Sequence, residues 1–289
     1  MKLSMFTLIT NAIDRKDAFV EAIQSYCEMA DEVIVVDGAR NWRDYAWAKH
    51  VLKVEHWHKV NWIKSYWPYN YTWEEFPRHY QLALDNCDGD WVFAMCIDHF
   101  IHERYYNEIH TLLENVEAPL ISFRKLSLLF GGKYYQKFKY PLAMNVKQYR
   151  SLTGLGLGFG RCATWDNDWV YPLMVQGRTP DGIDFGDMIP EDKVYRSNIP
   201  YFNYDSYFRT QKIQTDHFWR LSKARNIRWG DWLWGDTPEH ALEAFLKEMK
   251  DRMTRVAGEF KLEEHPKVMQ PVIQNLSTEQ FGYNGWGLV

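Results

Sequence analysis

The chain has 289 residues, 46% of them hydrophobic and 25% charged, with a formal net charge of −4 and a pI near 6.2. That length can bury a large core, and the mild acidity argues against a dedicated nucleic-acid binder, which carries a basic face. No apolar run approaches the roughly 18 residues needed to span a bilayer. The first ten residues are too short and too abruptly polar to be a secretory signal, and the four cysteines (Cys27, Cys87, Cys96, Cys162) form no CxxC pair. A reducing, cytoplasmic location without a transmembrane segment is therefore expected. Aromatic residues are unusually frequent at 17%, with a cluster running from Trp57 to Trp73.

In chain order, Leu3 to Thr10 is apolar and β-rich and predicts a first buried strand, followed by a polar loop over Asn11 to Arg15. Lys16 to Ala30 places Phe19, Ile23, Tyr26, Cys27 and Ala30 on one helical face. Glu32 to Asp37 is a continuous β-branched run ended by an acid, the pattern of a parallel strand covered on both faces. His50 to His56 is a weaker strand candidate. Glu74 to Cys87 repeats a helical face at Phe76, Tyr80, Ala83, Leu84 and Cys87. Trp91 to Ile97 is the next strand, Glu103 to Asn115 the next helix, and Pro119 to Phe123 a further strand. Strands alternating with helices predict an α/β fold with a mainly parallel sheet flanked by helices.

After Lys125 the pattern loosens into glycine-rich turns at Gly131-Gly132, Gly154 to Gly160 and Thr179 to Gly182. The Gly154 to Gly160 run lacks the spacing of a dinucleotide-binding loop and reads as a flexible cover. Thr237-Pro238 opens a helix as N-cap and first turn, with an apolar face from Leu242 to Val256 and Gly258 as its end. The last thirty residues read as a tail lying across the rest. Residues 1–125 form one half of the domain, 126–235 a second half, and 236–289 a C-terminal helical extension.

The segment Ala83-Leu84, Gly89-Asp90-Trp91-Val92 and Cys96-Ile97-Asp98-His99 ends an apolar strand on an acid, at the edge where α/β sheets bind ligands. Together with the first strand, its polar loop and Val35-Val36-Asp37-Gly38, it resembles the family 2 glycosyltransferases of the GT-A fold, over roughly residues 4 to 125. The resemblance implies transfer of a sugar from a nucleoside diphosphate donor to a hydroxyl on a glycan or other acceptor, with inversion. It implies that Thr10, Asn11 and Arg15 line the nucleotide pocket, with Asp37 at base or ribose and Arg78 and Cys96 nearby. Asp98 would reach a divalent cation, Mn or Mg, with His217 as the late histidine, and the cation would neutralise the leaving diphosphate. Glu191 and Asp192 are the candidate catalytic base, with Asp184 and Asp187 in reserve.

The chain departs from the family pattern at several points. Cys96 stands for the first acid of the Asp-x-Asp motif and His99 for the acid after it. Tyr80-Gln81 replaces an Arg-Asn pair, and Asn203-Tyr204-Asp205 replaces a His-Tyr-Gly stretch. These departures keep open a catalytically degenerate protein of the same fold that binds glycans or partners, and a related nucleotidyltransferase. His99, His102 and Glu103 are zinc-ligand types, although a capped turn into the next helix accounts for His102 and Glu103 without metal.

Overall fold

The computed structural model describes residues 1–72, 75–137, 141–146, 176–178, 184–186 and 194–288. The chain is an α/β protein built on one central sheet with helices against it. The expected βαβ opening is present as β1 (Leu3–Ile9), α1 (Phe19–Met29) and β2 (Glu32–Asp37). β3 (Val60–Lys64) adds to β2, and β4 (Trp91–Ala94) adds to the other side of β1, all in parallel. The register Ile9↔Asp37 and Phe6↔Ala94 brings the carboxyl ends of β1, β2 and β4 to one edge.

The segment at His50 to His56, expected to be a strand, is helical: α2 (Arg43–Val51) and α3 (Val54–Trp57) fill it, and the strand starts at Val60. Its burial follows a helical period rather than an alternating one. Ala48, Leu52 and His56 recur every four residues and form the buried stripe. α4 (Glu75–Asp85) leads into β4, and β5 (His99–Ile101) and α5 (Tyr106–Asn115) follow.

Beyond this the sheet turns antiparallel. β6 (Leu120–Leu128), β7 (Lys133–Lys137) and β8 (Pro141–Asn145) extend it, with β8 lying between β4 and β6. β9 (Gln176–Arg178) and β10 (Asp184–Gly186) form a separate two-stranded ribbon. β11 (Val194–Asn203) runs parallel to β6 and also pairs with β5, so the chain returns to the edge where β4 ends.

α6 (Gln211–Trp229) is the longest described helix, and sequence periodicity did not mark it. Its buried stripe mixes Phe218, Leu221 and Ala224 with Gln214, Ser222 and Arg225, so its packed face is not apolar in composition. Thr210 caps its start and Gly230 ends it in the left-handed region. α7 (Pro238–Met253) carries the expected Thr237 cap, whose hydroxyl accepts the His240 N–H at 3.2 Å, and packs edge-to-face through Phe245 on Phe218. It stops at Met253. Gly258, expected as the helix end, instead lies in β12 (Gly258–Glu259), which extends the sheet beside β7.

The final residues form α8 (Gln270–Gln274) and α9 (Phe281–Asn284). Buried Met269 and Phe281 anchor them, and the Gln280 amide donates to Phe208 O at 2.7 Å. The tail thus lies across the segment that follows β11. No described helix is long and apolar enough to cross a membrane.

Candidate functional site

The site forms where β4 ends. Met95 continues the strand direction, and residues 96–99 turn back on themselves, the His99 N–H donating to Cys96 O at 2.8 Å. Tyr26, buried on α1, presents its hydroxyl 2.6 Å from Cys96 O and 2.9 Å from His99 O. Burial holds the Tyr26 phenol well above its ordinary pKa, so it remains a donor. On the opposite side the Tyr204 N–H donates to Asp98 O at 2.8 Å. These four contacts fix the turn. Its three chemically active side chains converge as a result, and one ligand atom from each of Cys96, Asp98 and His99 lies within 4.8 Å of the others.

Asp98 Oδ1 is buried and has no hydrogen-bond partner among the described residues; His99 Nε2 stands 3.8 Å away. An unsatisfied buried carboxylate oxygen is costly, and a bound cation or a proton would satisfy it. Burial, and then the nearby Asp205, push the Asp98 carboxyl up to about 6, while Arg209 and Lys125 pull the other way. Burial and Asp98 push the Cys96 thiol up to about 12. Burial and Lys125 hold His99 well below its usual value, so the imidazole is neutral at pH 7. The orphan oxygen and the neutral imidazole fit a cation, and the thiol fits one that can displace its proton.

Beside the turn runs a chain of charged groups around buried Arg209. The Arg209 Nε donates to Asp17 at 3.2 Å and its Nη1 to Asp205 at 3.3 Å and to Gln214 at 3.2 Å. Arg15 Nε stands 3.0 Å from the other oxygen of Asp17. Although burial opposes it, Arg209, Arg252 and Lys125 hold the Asp205 carboxyl below its ordinary value. Asp17, Asp98, Ser206 and Arg209 line a narrow recess at this point, and the Ser206 hydroxyl is also buried without a partner among the described residues. Ser206 has a φ of 69°, a left-handed conformation in the segment that follows β11.

Thr10, Asn11 and Arg15 sit on the loop after β1, at the same edge as Asp98. Asn11 adopts a φ of 49° and is exposed. The loop is clamped by Asp44 of α2, whose buried carboxylate accepts the N–H of Ala12 at 2.8 Å and of Ile13 at 3.2 Å. Asp37 reaches this edge too, but it is fully buried. Its oxygens accept from Ala39 N–H at 2.8 Å, Trp62 Nε1 at 3.1 Å and Lys64 Nζ at 2.9 Å. Arg78 lies exposed on α4 and pairs with Glu75 at 2.6 Å while donating to Tyr66 O.

His217 stands on α6 among Arg209, Arg15 and Arg220; burial and these cations hold it well below its usual pKa. Among the described residues it is not part of the Cys96–Asp98–His99 ligand cluster. His102 caps the turn before α5, its ring accepting the Arg104 N–H at 3.3 Å, and pairs with Glu103. Glu191, Asp192 and Asp187 lie outside the described residues, as do Cys162 and the Gly154 to Gly160 run; Asp184 falls in β10.

The aromatic cluster divides between two roles. Trp57 and Trp62 pack edge-on against Tyr45, and Trp67 stacks on His79 at 4.5 Å. Tyr66 and Tyr69 remain exposed, beneath the guanidiniums of Arg40 and Arg220 at 4.5 and 4.4 Å. Sequence reasoning placed Tyr26 only on a helical face and assigned no role to Asp44, Asp17 or Arg209, which nothing local marks.

No family model matches the chain, and no curated protein matches it. Among solved structures, S. aureus TarS residues 1–349 aligns with 89% of this chain and 81% of that one, at 12% identity and a TM-score of 0.42. The longer S. aureus TarS structure aligns with 96% of this chain and 50% of that one, again at 12% identity and a TM-score of 0.42. TarS 1–349 in complex with UDP matches 44% of this chain at 16% identity and a TM-score of 0.34, and the match spans only 36% of that chain. Likenesses of this size decide nothing about activity.

Proposed function

We propose that the chain is a glycosyltransferase that moves a sugar from a nucleoside diphosphate donor to a hydroxyl acceptor with inversion. The observation that carries this reading is Asp98, a half-buried carboxylate whose buried Oδ1 has no hydrogen-bond partner among the described residues, at the carboxyl edge of three adjacent parallel strands beside the loop after β1. The motif spacing from Ala83 to His99 supports it.

In this reading Thr10, Asn11 and Arg15 contact the nucleotide, and Arg78 and Cys96 flank it. Asp37 acts from beneath, its carboxylate orienting Lys64, Trp62 and the Ala39 N–H rather than touching the ligand. Asp98 faces the donor diphosphate and is the residue that would hold a cation, which supplies Lewis-acid neutralisation of the leaving group. Arg209 and Asp17 brace the loop against the segment that follows β11. Glu191 or Asp192 is the proposed base that takes the acceptor proton.

A second reading is a protein of the same fold that binds a glycan or partner without turnover. The internal commitment of the Asp37 oxygens favours it. A thermal-shift and donor-hydrolysis screen of uridine, guanosine and thymidine diphosphate sugars separates the two. Under the enzymatic reading one donor raises the melting temperature and releases nucleoside diphosphate, and Asp98→Asn lowers release by at least about 100-fold, the scale of losing one charge-stabilising group. Donor release by Asp98→Asn at the parent rate would overturn it.

A further inference from the structure

We propose that Cys96, Asp98 and His99 form a three-point chelate that selects zinc, or a similar borderline ion, over magnesium and manganese. The inference rests on the reading of Asp98 as a cation ligand and adds what that cation is.

The geometry comes from the fixed turn. The His99 N–H to Cys96 O bond at 2.8 Å and the Tyr26 hydroxyl, close to both the Cys96 and His99 carbonyls, fix the backbone of residues 96–99. Their ligand atoms already lie within 4.8 Å of one another. A tetrahedral ion at about 2.0–2.3 Å from each donor needs donors about 3.5 Å apart, so small side-chain rotations close the set. His99 ligates through Nε2, the nitrogen facing Asp98 Oδ1; its remaining proton moves to Nδ1, and the long 3.4 Å approach of the Cys96 N–H is given up.

The donor set decides the ion. Magnesium demands six oxygen donors in octahedral array, and manganese prefers the same chemistry. One thiolate, one imidazole and one carboxylate are the donors of a borderline ion with low coordination number. Three protein ligands leave a fourth position open, the arrangement of a reactive rather than a purely structural zinc site. Loading breaks the Cys96 S–H bond, forms a sulfur–metal bond, and passes the proton to solvent, so affinity rises with pH. Cys96 is thus a replacement ligand rather than a lost acid.

The test needs no nucleotide and no turnover. The full chain, stripped with a chelator, is titrated with zinc, cobalt, manganese or magnesium ions against a chromophoric competitor. One zinc ion per chain is expected, held at least about 100-fold more tightly than manganese, beyond what loss of an outer-shell partner costs. The cobalt form is expected to show a thiolate-to-cobalt charge-transfer band. Cys96→Ser abolishes that band and weakens zinc at least about tenfold, and Cys96→Asp shifts preference toward manganese. Cobalt bound to the parent without the thiolate band, or zinc held equally by Cys96→Ser, would overturn the proposal. So would manganese bound as tightly as zinc. Because metal binding is read directly, a chain that loads zinc but hydrolyses no donor would refute the transferase reading and leave this one standing.

Discussion

His265 makes the fold acid-labile by a predictable amount. Its ring is 1% exposed, among Phe202 and Phe260, and its Nδ1 lies 2.8 Å from the Tyr204 hydroxyl. Burial lowers its pKa to about 4, with His102 adding to the effect and Glu264 opposing it. The unfolded chain takes up this proton near pH 6.5, so the folded state loses stability as pH falls from about 6.5 toward 4 and has it in full above that window. At pH 5 the unfolded imidazole is about 97% protonated and the folded one about a tenth, a difference of about 2 kcal/mol. Tyr204 also holds the Asp98 carbonyl, so the strain falls on the turn that carries Asp98. The assay is urea unfolding of the parent and His265→Gln at pH 7.5 and pH 5. His99 and His217 are depressed in the same direction in both proteins and cancel in the comparison. The parent should lose about 2 kcal/mol more than the variant between the two pH values. Equal losses would refute the assignment.

Two further substitutions test the supports of the site. Asp44→Ala strands the Ala12 and Ile13 N–H groups, one of them buried, and should cost about 2–3 kcal/mol in urea unfolding; Asp44→Asn, which keeps an acceptor, should cost less, and equal costs would sink the clamp. Arg209→Met removes the cation that Asp17 and the partly exposed Asp205 share, while Asp17 keeps Arg15, and should destabilise the fold by about 2–3 kcal/mol; a loss under about 1 kcal/mol in the same assay would show that the acids do not depend on it.

The parallel half of the fold was legible because its strands announce themselves locally. Glu32 to Asp37 and Trp91 to Ala94 are continuous apolar runs, and burial on both faces of a sheet requires that composition. The helix over Gln211–Trp229 was not legible, because Gln214, Ser222 and Arg225 occupy its buried stripe and pair there with partners such as Arg209, Gly235 and Asp231. Periodicity in hydrophobicity cannot register a face that packs through polar groups. His50 to His56 failed for a different reason: in a short amphipathic segment a few apolar residues fit either period.

At the site, the chain's own order was enough to place an acid, Asp98, just beyond a central strand, which ends at Ala94 rather than Ile97, and Thr10 to Arg15 on the neighbouring loop. Those are local facts of strand length and turn composition. What surrounds Asp98 was decided only in three dimensions. Tyr26 reaches the turn across 73 residues, and Arg209 reaches Asp17 across 192. A side chain's identity is written at its own position, but its burial, its partners and hence its charge state belong to the packed neighbours. That is why the sequence could nominate Asp98, while the convergence of Cys96 and His99 upon it required the fold.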